Sequence, residues 1–153
     1  MLKVPGASSR FVWYVVAVII YCLRSNIAQA EMIATDLKVW ATDQGQHSTS
    51  AYMVLNASED IHIVGVSTPV AKSAAFFQVF YLSGSVRMRM VEKLALPSGK
   101  TVDFANDGYQ LILSGLKSRI DVGQTIPVTL HIVDRTNRPS TLQLTLTAEP
   151  FPR

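Results

Sequence analysis

The stretch Ile126–Thr147, IPVTLHIVDRTNRPSTLQLTLT, decides the fold. Ile126, Val128, Leu130 and Ile132 alternate with Pro127, Thr129 and His131. Beyond the turn signal Asn137-Arg138-Pro139, Leu142, Leu144 and Leu146 alternate with Thr141, Gln143, Thr145 and Thr147. A period of two places one set of side chains on one face of an extended strand, whereas a helix repeats every 3.6 residues. Two such runs around a turn read as a hairpin with an apolar face and a polar face. His131 belongs to the polar, outer set.

The same period extends in both directions. Val86, Met88 and Met90 alternate with Arg87 and Arg89, and shorter runs cover Ala51–Leu55, Ile61–Val66, Phe76–Leu82 and Gly108–Leu113. Turn signals separate them: Asn56 to Asp60, Ser83-Gly84-Ser85, Pro97-Ser98-Gly99 and Asn106-Asp107-Gly108. From Thr35 onward no segment carries a helical stripe over three turns. Many short strands with regular turns predict an all-β chain, an antiparallel Greek-key β-sandwich. No repeat, low-complexity segment or linker divides it, so residues 31–153 read as a single domain. The tail after Ala148, with Pro150 and Pro152, is predicted to fray.

Residues 1–30 read differently. Lys3 and Arg10 precede an apolar run from Phe11 to Leu23, and Ala28-Gln29-Ala30 follows. A basic start, an apolar core and an A-x-A site make a secretory signal peptide. The run falls short of the roughly 20 apolar residues that span a bilayer. An uncleaved anchor is the alternative, and membrane contact is then through this leader alone. Periplasmic export is the expected localisation.

The leader also carries the charge. Removing Lys3, Arg10 and Arg24 from the 14 basic residues leaves eleven against 11 acidic ones, so the exported part is formally neutral. A basic pI therefore gives no argument for nucleic-acid binding. The single cysteine, Cys22, lies in the leader, and Tyr21 before it is not the small residue a lipid-attachment site needs. Without thiols, a soft-metal site in the exported part has only Met and His to draw on. Paired carboxylates, phosphate loops, nucleophile elbows and zinc-type Cys/His spacings are all absent, and nothing points to an enzyme.

Several blocks together resemble one family. They are Trp40-Ala41-Thr42, Ala51-Tyr52-Met53, Ser67-Thr68-Pro69, Val91-Glu92-Lys93, Leu96-Pro97-Ser98-Gly99, Gly108-Tyr109 and Gly115-Leu116-Lys117. Their order and spacing, from about Thr35 to Leu146, are similar to the periplasmic copper chaperones called PCu(A)C. The resemblance implies a cupredoxin-like β-sandwich with copper held on its outside. It also implies copper trafficking and delivery to respiratory oxidases, with an oxidase or another periplasmic copper carrier as partner.

That family's ligand pattern is a His, ten residues, a Met, twenty-one residues, then His-x-Met. Placing its first Met on Met88 puts the other positions on Phe77, Gln110 and Ile112. Only Met88 keeps a ligating side chain of the expected type. Residues i and i+2 of a strand share a face, so Gln110 and Ile112 should lie together, with Tyr109, Leu111 and Leu113 turned to the core. Met90 shares the face of Met88 and is a candidate auxiliary thioether. Thioethers suit Cu(I), but Phe77 and Ile112 have no lone pair and Gln110 offers an amide oxygen. The copper site is degenerate, and Cu(I) binding is expected to be weak or absent.

Phe77, Val79 and Tyr81 alternate onto the same face and beside Ile112 make either an exposed apolar patch or a strip covered by loops. Arg87 and Arg89 fall on the opposite face. His47, His62 and His131 match no position of the motif and read as surface or structural residues; a displaced site pairing one of them with Met53 or Met32 stays open. Two functions are therefore in play. One is a copper-chaperone-like protein with a degenerate site. The other is a metal-free interaction module on the same fold, docking to copper-handling or membrane partners.

Overall fold

A computed structural model describes residues 31–152. The signal-peptide reading of residues 1–30, its anchor alternative and Cys22 lie outside the described residues. The strands, in chain order, are β1 Met32–Trp40, β2 Ser48–Ala57, β3 Ile61–Ser67, β4 Ala71–Leu82, β5 Ser85–Val91, β6 Leu94–Leu96, β7 Thr101–Asp103, β8 Tyr109–Leu116, β9 Thr125–Asp134 and β10 Pro139–Glu149. A single helical turn, α1 Phe104–Asp107, occupies the place where the sequence signals a turn.

The β9–β10 hairpin forms in the register its alternation requires. Ile126 pairs with Leu146, Val128 with Leu144 and Leu130 with Leu142. All of these but the half-buried Leu142 are buried in the core, while His131 is exposed. The turn is held by Asp134, whose carboxylate accepts hydrogen bonds from the backbone and hydroxyl of Thr136 and from the backbone and guanidinium of Arg138. Asn137, at φ 58°, takes the left-handed conformation that such a loop demands. Pro127 is tolerated inside β9 because the pairing with β3 ends at Ser67–Thr129.

The strand order is β5-β4-β8-β2-β1-β10-β9-β3-β6, with β7 also pairing β2. This continuous ladder curls into a cupredoxin-like sandwich, and residues from β2, β4 and β8 meet residues from β3, β9 and β10 in one core. The fold departs from a purely antiparallel sandwich at one seam. β1 and β10 pair parallel, Lys38 with Thr147 and Trp40 with Glu149. The seam also corrects the frayed tail. Glu149 stays in the ladder, its carbonyl accepts from Ala41 N–H at 2.8 Å, and Phe151 packs edge-on against Trp40 with ring centroids 5.8 Å apart. Prolines end the strand there without freeing it.

The core residues that fix the outer face are Phe76, Phe104, Leu111 and Leu113, all buried. Phe104 is presented by α1, which Asp103 caps by accepting from the N–H groups of Ala105 and Asn106. Its ring meets Phe76 edge-on at 5.7 Å and Tyr109 at 5.9 Å. α1 stops at Gly108, which has φ 73° and passes so close to β4 that an added Cβ would lie 2.8 Å from the Val79 carbonyl oxygen. Val79 N–H donates to the Gly108 carbonyl at 2.7 Å, so the helical turn is tied to the strand next to it.

Candidate metal-binding face

β5, β4 and β8 are adjacent strands. Across them Phe77 pairs with Gln110 on one side and Met90 on the other, Val79 pairs with Met88, and Ala75 pairs with Ile112. Directly paired residues of an antiparallel ladder project to the same face, with Cβ atoms about 4.5–5.5 Å apart and diagonal neighbours roughly 7–8 Å apart. Phe77, Met88, Met90, Gln110 and Ile112 therefore converge on one outer face. Their neighbours Phe76, Leu111 and Leu113 turn inward and are buried, and Tyr109 packs half-buried on the core, as alternation requires.

The β4–β5 turn sets the backbone pattern. Leu82 pairs with Ser85 across Ser83 and Gly84, whose φ values are 51° and 77°. Positive φ at both central residues is the type I′ turn, which matches the twist of the flanking strands. The pair flanking such a turn is hydrogen-bonded, and pairs then alternate along the ladder. Met88–Val79 and Met90–Phe77 fall on the non-hydrogen-bonded pairs, where Cα atoms approach to about 4.5 Å and side chains are closest.

Phe77, Val79, Gln110 and Ile112 are half-buried, but among the described residues no loop covers the hairpin beyond them. Met88 is 48% exposed, Met90 56% and Tyr81 79%. The apolar strip is thus open at its β5 side and partly packed at its β8 side. A groove next to it is lined by Lys38, Trp40, Tyr52, Tyr81, Asp107 and Gln110. Trp40 and Tyr52 belong to β1 and β2, and their rings meet at a tilt of 59° with centroids 5.9 Å apart. The sequence held this extension of the face only as a family block, without a period of its own.

Arg87 and Arg89 occupy the other face of β5. Arg89 donates to the Gln78 amide oxygen at 2.8 Å and its guanidinium lies 5.9 Å from the centre of the Phe80 ring. Among the described residues, neither arginine is ion-paired with a carboxylate. The histidines stay apart: His47 and His131 are exposed, His62 is half-buried, and His131 Nε2 lies 3.1 Å from the Ser67 hydroxyl. Met53 is wholly buried and cannot serve a surface site. No three His, Cys, Asp or Glu residues come together among the described residues.

The donor set can be judged directly. Phe77 and Ile112 supply no lone pair, and Gln110 supplies a hard oxygen. Met88 and Met90, two residues apart on an exposed strand, supply two soft thioethers. Of the pattern's four positions only Met88 offers a soft donor, and Met90 lies on the same exposed face opposite Phe77.

Fold and face together define a β-sandwich of the PCu(A)C type. The chain belongs to the family described as "Putative lipoprotein LpqE-like", whose profile matches residues 32–144. A curated relative, "Putative lipoprotein Lxx21020" of Leifsonia xyli subsp. xyli, is 28% identical over 105 residues, covering 67% of this chain and 63% of its own length. The Cu(I) form of DR1885 from Deinococcus radiodurans is similar at 30% identity with a TM-score of 0.58, over 84% of this chain and 85% of that one. The copper-bound PCuAC domain of PmoF2 shares the fold at 16% identity with a TM-score of 0.56, over 79% of this chain and 99% of that one.

Proposed function

We propose that this protein works in exported copper handling, as a chaperone-like partner whose own grip on Cu(I) is loose. One observation carries the reading: the motif positions Phe77, Met88, Gln110 and Ile112 share one outer face of adjacent strands, yet only Met88 keeps its donor. Met90 adds a second thioether to that face. Two thioethers on a half-exposed strand favour rapid transfer of Cu(I) over storage. On this reading the protein belongs to copper trafficking toward a respiratory oxidase or another periplasmic carrier. The relatives' description as lipoproteins and the basic-apolar start of this chain both support export.

A second reading has its own observation. Two of the three replaced positions, Phe77 and Ile112, are apolar, and their strip continues into the exposed Tyr81, Val86 and Met90. Such patches mark partner surfaces, so the same face works as a metal-free docking module. Met88 separates the two: Met88→Leu should preserve docking and abolish any Cu(I) binding.

The test is a Cu(I) competition titration with a chromophoric chelator, run on wild type and on Phe77→His/Gln110→His/Ile112→Met. The expected result is a wild type that yields Cu(I) to a chelator of moderate affinity and a triple variant that retains one ion. A wild type that holds Cu(I) against that chelator would overturn the loose-grip reading.

A further inference from the structure

Among the described residues β5 is the outermost strand on its side of the sheet, paired only with β4. It runs seven residues, Ser85–Val91, without a proline, and every residue but Val91 is exposed. The alternation set by the type I′ turn gives Ser85, Arg87, Arg89 and Val91 to the ladder with β4. Val86, Met88 and Met90 therefore point their N–H and C=O groups away from β4, to the free edge. Exposed edges of this kind template the addition of another strand.

The side chains say which strand fits. On one face of β5 stand Val86, Met88 and Met90; on the other stand Arg87 and Arg89. From Ala71 to Val91 the whole hairpin contains Lys72, Arg87 and Arg89 and no carboxylate. Arg89 is held against the sheet by Gln78 and Phe80, so its charge has a fixed place. A second copy of this chain is a poor occupant. In an antiparallel pairing of β5 with itself, outward-facing residues must meet outward-facing residues. Every such register puts the two arginine rows on the same face, and like charges across a ladder repel.

We propose that the β5 edge binds an extended segment of a partner protein in which acidic and apolar residues alternate. The carboxylates would lie opposite Arg87 and Arg89, and the apolar side chains opposite Val86, Met88 and Met90. Backbone bonds to Val86, Met88 and Met90 give the segment its grip, and the arginine row gives selectivity. This docking mode extends the functional reading above but does not depend on Cu(I) being held.

The probe is a blocked nine-residue peptide alternating glutamate and valine, with a lysine–valine peptide as comparator, added to the exported protein. Binding is read by NMR, together with the exchange rates of the β5 amides. The Glu–Val peptide is expected to slow exchange at Val86, Met88 and Met90 by at least tenfold and to leave Arg87 and Arg89 unchanged. Arg87→Glu/Arg89→Glu should weaken that peptide at least tenfold and turn preference to the Lys–Val peptide. Val86→Pro removes one outward N–H without touching the β4 ladder and should weaken binding severalfold, with the circular dichroism spectrum unchanged. Equal binding of both peptides, or protection of the edge amides by self-association instead, overturns the proposal. So does failure of the Glu–Val peptide to protect them when vesicles of anionic lipid do, since the hairpin then reads membrane rather than protein.

Discussion

Phe77 stands directly opposite Gln110 across the β4–β8 ladder. These two residues come from positions 33 apart in the chain, and they occupy two of the four places where the PCu(A)C pattern asks for a ligand. Their direct pairing brings the Cβ atoms to about 5 Å. Two imidazoles placed there would need little backbone movement to share an ion. Phe77→His/Gln110→His should therefore bind Cu(I) at least tenfold more tightly than wild type, in the presence of Met88. Adding Met88→Ala to the pair should remove most of that gain. A chelator competition series on the three proteins checks both steps. No gain in the double variant would mean that the face is no longer shaped for copper.

Much of the architecture behind that pairing is readable from local pattern. The alternation of Ile126 to Ile132 and of Leu142 to Leu146 predicts which side chains enter the core, and the structure agrees. The same period fixes which residues of each strand share a face, but the meeting of Phe77, Met88, Gln110 and Ile112 on one face is set by the register between β5, β4 and β8. What local pattern leaves out is set by distant pairing. The parallel β1–β10 seam joins the two halves of the ladder, and β1 has no clean alternation because its register shifts between Thr35 and Lys38, with Asp36 at φ 50°. The three-residue strands β6 and β7 are too short to show a period. The openness of β5 is likewise invisible locally: Val86, Met88 and Met90 alternate as core residues do, yet they are exposed because no layer of the described residues packs on their face.

Gly108 links the core to the candidate face. Its φ of 73° strains any other residue, and a Cβ would meet the Val79 carbonyl oxygen at 2.8 Å. Val79 is also the direct partner of Met88. Gly108→Ala should destabilise the protein by about 1–3 kcal/mol, the range for strain at such a position. Chemical denaturation measures the loss. The NMR signals of Met88 and Val79 should shift in the same variant, because β4 must move to relieve the contact.

Thr42 gives a physical reason for the Trp40-Ala41-Thr42 block. Its hydroxyl is buried and accepts the Ile120 N–H at 2.9 Å, while Thr42 N–H donates to the Ile120 carbonyl, also at 2.9 Å. This two-way clasp ties the loop after β1 to the approach to β9. Thr42→Val keeps the shape and leaves the Ile120 N–H without a partner. A buried unsatisfied donor costs about 1–3 kcal/mol. Thr42→Ser keeps the oxygen and should lose less. Comparison of the two by urea unfolding separates the hydrogen bond from the packing of the methyl group.

Acid should act on the β9–β10 turn before it acts on the core. Hydrogen bonds from the Thr136 hydroxyl and the Arg138 backbone, then from the Thr136 backbone and the Arg138 side chain, hold the Asp134 carboxyl well below the usual carboxylate range. A folded-state pKa lower than the unfolded one, which is about 3.9, means that the unfolded chain takes up the proton first. The stabilisation from this group is therefore complete above the unfolded value and fades as pH falls through it toward the lower folded value. Asp134→Asn keeps the shape but removes the charge and one acceptor. The difference in Tm between wild type and Asp134→Asn should stay constant from neutral pH down to about 5 and shrink below about 4. A difference that stayed constant down to pH 2 would place the effect of the substitution in packing rather than in the ionised carboxylate.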